Sequence, residues 1–175
     1  DGSDFEQKIQ DNTQLIFVES PGSLLYEMLD LPEICRIAHE RNIPVGVDNT
    51  WGSAWLYNPL ELGADVSVIA ATKYLCGHSD VMMGIMVANE KAWEKIGALP
   101  EALGQASSPD DAALVLRGMR TLGQRIAAHG KSALAIAQWL ETRPEVEKVW
   151  FPELPNHPRH DLWKRDCKGS NGLLT

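Results

Sequence analysis

Positive charge is scarce in this chain of 175 residues: Lys and Arg total 16 against 24 Asp and Glu, for a formal net charge of −8. No basic run offsets that balance, so neither a nucleic acid nor an anionic membrane is an expected partner. Cysteine is scarce as well. Cys35, Cys76 and Cys167 are widely spaced and contain no CxxC pair, and no apolar stretch preceded by positive charge reads as a secretion signal. A secreted disulfide framework is therefore excluded and a cytoplasmic location is expected. No GxGxxG follows any candidate strand, which removes a nicotinamide-dependent α/β enzyme. Internal repeats and low-complexity tracts are missing too. Residue 1 is Asp1 rather than Met, and Leu173-Leu174-Thr175 reads as the opening of a strand, so a piece of a longer protein is expected. What remains is an ordinary globular composition, 44% apolar and 23% charged, enough to bury a core.

The apolar pattern changes period along the chain. Residues 15–20 are a short β-branched run closed by Pro21, Gly22 and Ser23, which predicts a buried strand. Leu31, Ile34, Cys35 and Ala38 then follow at helical spacing, with Asp30 as a candidate N-cap and Pro32 in the first turn, predicting a helix that ends near Asn42. Residues 45–48, 66–70 and 83–88 are further candidate strands, with a short turn or helical connection over 58–63. Strand, helix, strand, crossover, strand is the grammar of an α/β fold, a mostly parallel sheet covered by helices. Reactive residues in such sheets lie beyond the carboxyl ends of the strands. Three of these ends are polar, Glu19-Ser20, Asp48-Asn49-Thr50 and Thr72-Lys73, and they are expected to converge on one edge.

After residues 97–109, the proline-free stretch 110–142 places Val115, Met119, Leu122, Ile126, Ala133, Ala137 and Leu140 in one stripe. This predicts a single long helix, although Gly118, Gly123 and Gly130 each weaken it by about 1 kcal/mol relative to Ala. Pro144 ends it, and residues 146–150 alternate as a strand would. A boundary near Arg143 would divide residues 1–142 from residues 143–175, the latter being too short to close a core of its own.

Lys73 directly follows an apolar strand and precedes small and polar residues. Such a lysine either snorkels into water or stays partly desolvated, in which case its lowered pKa frees the amine as a nucleophile or base. Asp48, at a neighbouring strand end, either caps a turn or pairs with a cationic ring nitrogen. A lysine that forms a Schiff base and a carboxylate that keeps a pyridine nitrogen protonated are the two partners pyridoxal phosphate requires. His78 and Ser79 more simply bond neighbouring backbone. His157, His160 and Cys167 lack a fourth metal ligand and sit in a proline-rich loop, so no metal site is assigned. Arg117, Arg120 and Thr121 share a helix face and either meet solvent or organise an interface. The six tryptophans read as core or interface anchors, with Trp51 set apart by its closeness to Asp48.

Val47-Asp48-Asn49-Thr50-Trp51, Ala71-Thr72-Lys73-Tyr74 and Gly77-His78-Ser79-Asp80 together resemble the cofactor-binding core of the cysteine and methionine metabolism family of pyridoxal-phosphate enzymes. Glu19-Ser20-Pro21, residues 116–122 and Trp163-Lys164-Arg165-Asp166 extend the resemblance in order, and they are most similar to the bacterial carbon–sulfur β-lyases. The resemblance covers essentially the whole chain but only about half of a family member. It implies an aspartate-aminotransferase-like large domain over 1–142, the start of the small domain over 143–175, and a homotetramer built from dimers. It also implies pyridoxal 5'-phosphate as cofactor, with Lys73 as the Schiff-base lysine and later the base at Cα, Asp48 on the pyridine nitrogen, and Thr72 on the phosphate. The implied reaction is β-elimination on L-cystathionine to homocysteine, pyruvate and ammonia. γ-Synthase, γ-lyase or cysteine desulfhydrase chemistry is the related alternative.

Two departures stand out. Many relatives carry serine where this chain has Ala70, and asparagine where it has Ser23; the serine is the form that resembles the β-lyases. The family's glycine-rich phosphate turn and cofactor-stacking tyrosine precede this stretch, and its carboxylate-gripping arginine follows. A non-catalytic folding or interface unit of such an enzyme is therefore the competing reading, and the isolated chain is expected to be weakly active or inactive.

Overall fold

The computed structural model describes residues 2–175. Four strands form one sheet in the order β1-β2-β3-β4: β1 (Ile16–Glu19), β2 (Val45–Asp48), β3 (Val66–Ala70) and β4 (Gly84–Ala88). The first three are parallel, and β4 returns antiparallel to β3. Glu19 lies opposite Asp48, Asp48 opposite Val68, and Ala70 opposite Gly84. The carboxyl ends of β1, β2 and β3 thus share one edge, and the three polar strand ends converge there as expected.

Helix α1 (Gly2–Lys8) precedes the sheet, and α2 (Leu31–Glu40) makes the crossover from β1 to β2. Its Leu31, Ile34, Cys35 and Ala38 are buried against Val45, Val47 and Tyr57. Each large aliphatic side chain buried this way contributes about 1.5–3 kcal/mol. Asp30 does not cap this helix with its side chain; its Oδ1 instead accepts a 2.9 Å bond from Arg165 Nη2, tying the helix start to the far end of the chain.

Beyond β4 come α3 (Glu90–Ile96), α4 (Leu99–Ala102), α5 (Pro109–Met119), α6 (Leu122–Leu140) and α7 (His160–Asp166). The single long helix expected over 110–142 is therefore two. The break at Arg120-Thr121 centres on the Gly118 carbonyl, which accepts from Thr121 N at 3.1 Å, Thr121 Oγ1 at 3.2 Å and Arg125 Nη2 at 2.8 Å. Those donors take the carbonyl out of the α-helical ladder, and the chain restarts with Arg125 N bonded to Thr121 O.

The buried face of β3 and the turn after it pack with α5 and α6, through Ile69, Ala71 and Leu75 against Val115, Leu122 and Ile126. Farther along α6, Ala133 and Ala137 pack with Val149, Phe151 and Leu154. Residues 146–150 do not form a strand. Among the described residues only Trp150 of this stretch pairs, exchanging two backbone bonds with Thr175, while Val146 N closes a turn onto Arg143 O. On the other side of the sheet's alternation, Phe17 and Met86 are exposed. With Leu15, Gly46, Val66 and Val68 they line an apolar cavity of about 290 Å³. Among the described residues no helix is long and apolar enough to cross a membrane.

Candidate functional site

Asp48 ends β2 half-buried, and its Oδ1 accepts the backbone N–H of Thr50 at 2.9 Å. This is the turn-capping contact, and it orients the carboxylate rather than exhausting it. Among the described residues the second oxygen, Oδ2, has no hydrogen-bond partner. Thr50 Oγ1 accepts from Ala70 N at 2.9 Å and so joins the end of β2 to the end of β3.

Lys73 sits in a tight turn directly after β3. Its N–H donates to Ala70 O at 3.0 Å, its carbonyl accepts from Gly77 N at 2.8 Å, and Cys76 N donates to Ala71 O at 2.9 Å. Gly77 closes the turn with φ +72°, a conformation glycine adopts without strain. The Lys73 side chain is exposed, the first of the two dispositions the sequence allowed, because the strand ends at Ala70 and the turn carries the lysine past the sheet edge. Thr72 holds the amino side of the turn: Met83 N donates to its Oγ1 at 2.9 Å, and the hydroxyl donates to Met83 O at 3.3 Å.

Lys73 opens into a cavity of about 550 Å³ that Thr50, Trp51, Thr72, Tyr74, Arg125 and His129 also line. Asp48 lines an adjoining depression that shares Thr50 and Thr72 with this cavity. The structure thus places Lys73, Thr72 and Asp48 on one edge, with the two threonines between the lysine and the carboxylate. Ser23, across the cavity, donates its hydroxyl to Glu19 Oε1 at 2.7 Å. Trp51 is buried, and its indole N–H has no partner among the described residues.

The remaining sequence candidates lie elsewhere or act locally. His78 Nδ1 bonds Cys76 O at 2.7 Å. Arg117 pairs with Asp80 at 3.2 Å in the open, and Arg120 is exposed at the end of α5. His157 is buried with Nε2 3.4 Å from Leu25 O, and His160 bonds Pro152 O at 3.0 Å. Cys167 packs with Tyr57 and Cys35, and burial pushes the Cys35 and Cys167 thiols up to about 12. Burial likewise holds the Tyr74 phenol above its ordinary value.

Two residues on the cavity wall, Arg125 and His129, have no counterpart in the sequence reading. His129 lies 5.9 Å from Tyr74, ring centre to ring centre. Thr121, Arg125 and His129 recur every four residues beside the buried stripe of Leu122, Ile126 and Ala133. A polar stripe flanking an apolar one was the signal that could have found them.

A family model described as Cys/Met metabolism PLP-dependent enzyme matches residues 1–175. The chain belongs to that family. Members use pyridoxal 5'-phosphate, and the mostly parallel, helix-covered sheet is that of their solved structures. Cystathionine beta-lyase of Bordetella avium is 49% identical over 173 residues, which are 98% of this chain and 44% of that protein. Cystathionine gamma-lyase of Macaca fascicularis is 42% identical over 172 residues, 97% of this chain and 42% of that protein. The crystal structure of cystathionine gamma-lyase from Lactobacillus plantarum complexed with L-serine superposes with a TM-score of 0.95 at 34% identity, covering 99% of this chain and 46% of that one. The chain spans about half the length of the relatives it matches.

The residues present fit the family's cofactor. A carboxylate with one oxygen pinned and the other unpartnered suits a ring N–H, and an exposed primary amine suits a carbonyl carbon. The fit is weaker at the phosphate. Ala70 offers no hydroxyl, and the Thr72 hydroxyl already has its proton on Met83 O.

Proposed function

We propose that this protein is a carbon–sulfur lyase that catalyses β-elimination on L-cystathionine, giving homocysteine, pyruvate and ammonia. The observation that carries the reading is the shared strand edge, with Lys73 open to a cavity and Asp48 presenting a free carboxylate oxygen, bridged by Thr50 and Thr72. Pyridoxal phosphate, when bound, supplies an electron-withdrawing ring that lets an amino acid lose its Cα proton. In this reading Asp48 Oδ2 accepts the ring N–H and, being anionic, keeps that proton in place. Lys73 Nζ would anchor the cofactor covalently and, once the substrate's amine has displaced it from that bond, would be the free amine that takes the Cα proton and delivers it to the departing sulfur. Thr72 donates its hydroxyl to the phosphate by leaving Met83 O, the longer of its two bonds, while Met83 N continues to hold it.

Ser23 supports β- over γ-elimination. Its hydroxyl is committed to Glu19, so it offers no donor to the cofactor where many relatives place an amide.

In this reading residues 1–142 belong to the cofactor-binding large domain and 143–175 begin the small one. The assembly is a homotetramer of dimers in the cytoplasm. Cleavage of L-cystathionine by the full-length protein, with the thiol and keto-acid products identified, tests the proposal. Homocysteine with pyruvate is expected, whereas cysteine with 2-oxobutanoate would move the assignment to γ-lyase. A full-length protein that cleaves neither bond would favour the non-catalytic reading.

A further inference from the structure

Arg125 sits on the first turns of α6, far in sequence from Lys73, yet its guanidinium covers the carboxyl half of the lysine turn. Nε donates to Thr121 Oγ1 at 3.0 Å, and Nη2 donates to Gly118 O at 2.8 Å and reaches Leu75 O at 3.5 Å. A Cβ added at Gly77 would stand 2.4 Å from Nη1 and 2.5 Å from Cζ, so the guanidinium lies directly on the Gly77 backbone. One planar group therefore joins three pieces: the end of α5, the start of α6 and the turn that carries Lys73.

The two halves of that turn are held by different means. Thr72 pins the amino half to Met83. On the carboxyl half, His78 takes the Cys76 carbonyl, leaving Leu75 O and the Gly77 backbone to Arg125. A rigid fork with several donors can satisfy Thr121, Gly118 and Leu75 at once while stacking flat on a peptide, which a lysine ammonium cannot do. Its positive charge also sits beside the last carbonyls of α5, where the helix dipole favours a cation.

We infer that Arg125 is a positioning residue. It clamps the Lys73 turn onto the α5–α6 junction and thereby fixes where the lysine amine stands. The inference rests on Lys73 being the cofactor lysine, but the clamp itself can be observed without that assumption.

Three readouts on the full-length protein and its Arg125→Met and Arg125→Lys variants test it. Without cofactor, backbone amide exchange in the peptide holding residues 73–77 is expected to rise at least ~10-fold in Arg125→Met, while exchange in the peptide holding β2 stays at wild-type rates. With cofactor, borohydride-trapped pyridoxyl label on Lys73 falls in Arg125→Met. For cystathionine cleavage, kcat falls on the order of 10- to 100-fold with KM changed by less than about 3-fold, the signature of a misplaced reacting group. Arg125→Lys restores the thermal midpoint in part but not kcat.

If Arg125→Met does not fold, Thr121→Val, which removes the acceptor of Nε together with the threonine hydroxyl's own bond to Gly118 O, carries the same expectations at smaller size. Wild-type exchange, labelling and kcat in a folded variant would overturn the inference while leaving the function intact. Wild-type protein that takes no label on Lys73, with exchange still raised in Arg125→Met, would overturn the function and leave the clamp.

Discussion

Thr72 and Met83 exchange two hydrogen bonds across the Lys73 turn, the backbone N–H of Met83 donating to Thr72 Oγ1 and that hydroxyl donating to the Met83 carbonyl. Removing the hydroxyl leaves the half-buried Met83 N–H without its partner, at a cost of about 1–3 kcal/mol, while the Met83 carbonyl keeps its 3.2 Å bond from Thr72 N. Thr72→Val is therefore expected to lower the free energy of unfolding from urea titration by that amount, with a lower midpoint, and Thr72→Ser to remain close to wild type. An unchanged midpoint for Thr72→Val would show that the pair does not hold the turn.

Glycine at residue 118 is set by contact, not by turn geometry. A Cβ there would stand 2.0 Å from Cys76 O and 2.6 Å from Leu75 O, both backbone atoms of the lysine turn. Gly→Ala in an open helix gains about 1 kcal/mol, whereas overpacking costs about 1–3 kcal/mol. Gly118→Ala is predicted to be net destabilising by thermal melting and to lower pyridoxyl labelling of Lys73 along with it. A higher melting midpoint would contradict the close packing of α5 on the turn.

Asp65 links the sheet to two flanking helices: its carboxylate accepts from Val45 N at 2.8 Å, His39 Nε2 at 2.8 Å and Asn89 Nδ2 at 2.9 Å. Burial pushes this carboxyl up, but the three donors outweigh it and hold it below the ordinary value of 3.8. A depressed folded pKa means stability that is fully present above 3.8 and lost as pH falls through the lower folded value. Asp65→Asn should thus flatten the acid side of a stability-against-pH curve below about pH 4. An unaltered acid limb would contradict this.

His157 acts in the same direction at higher pH. Buried, with Nε2 facing Leu25 O and Nδ1 facing Arg159 N at 3.4 Å each, it is held neutral, and burial lowers its pKa from 6.5. Its stability contribution is complete above 6.5 and declines as pH falls below it. Melting midpoints measured between about pH 5 and 7 should fall in wild type and vary less in His157→Gln. Equal slopes would refute the assignment.

The strands were legible because each is a short apolar run closed by turn residues, and the convergence of Glu19, Asp48 and Lys73 on one edge follows from parallel pairing alone. The break between α5 and α6 was not legible. Residues 110–142 keep an unbroken apolar stripe, and the interruption comes from Arg125, Thr121 and the lysine turn meeting at one carbonyl, a tertiary event. Residues 146–150 alternate like a strand but find a partner only at Trp150, so periodicity without a neighbour misled. Arg125 and His129 share a polar stripe that the sequence does carry, but the contact of Arg125 with the distant Gly77 is tertiary and nothing local marks it. The exposure of Lys73 could not be read from a strand-end pattern that fits burial equally well.

The central claim is that Lys73 carries the cofactor with Asp48 on its ring nitrogen. The most direct test incubates the full-length protein and its Lys73→Ala and Asp48→Asn variants with pyridoxal phosphate, reduces with borohydride and maps pyridoxyl-labelled peptides by mass. The account predicts label on Lys73 in wild type, none at this peptide in Lys73→Ala, and retained label with at least ~100-fold lower kcat in Asp48→Asn, where a neutral amide no longer stabilises the ring proton. Label on another lysine, or undiminished turnover by Lys73→Ala, would contradict it.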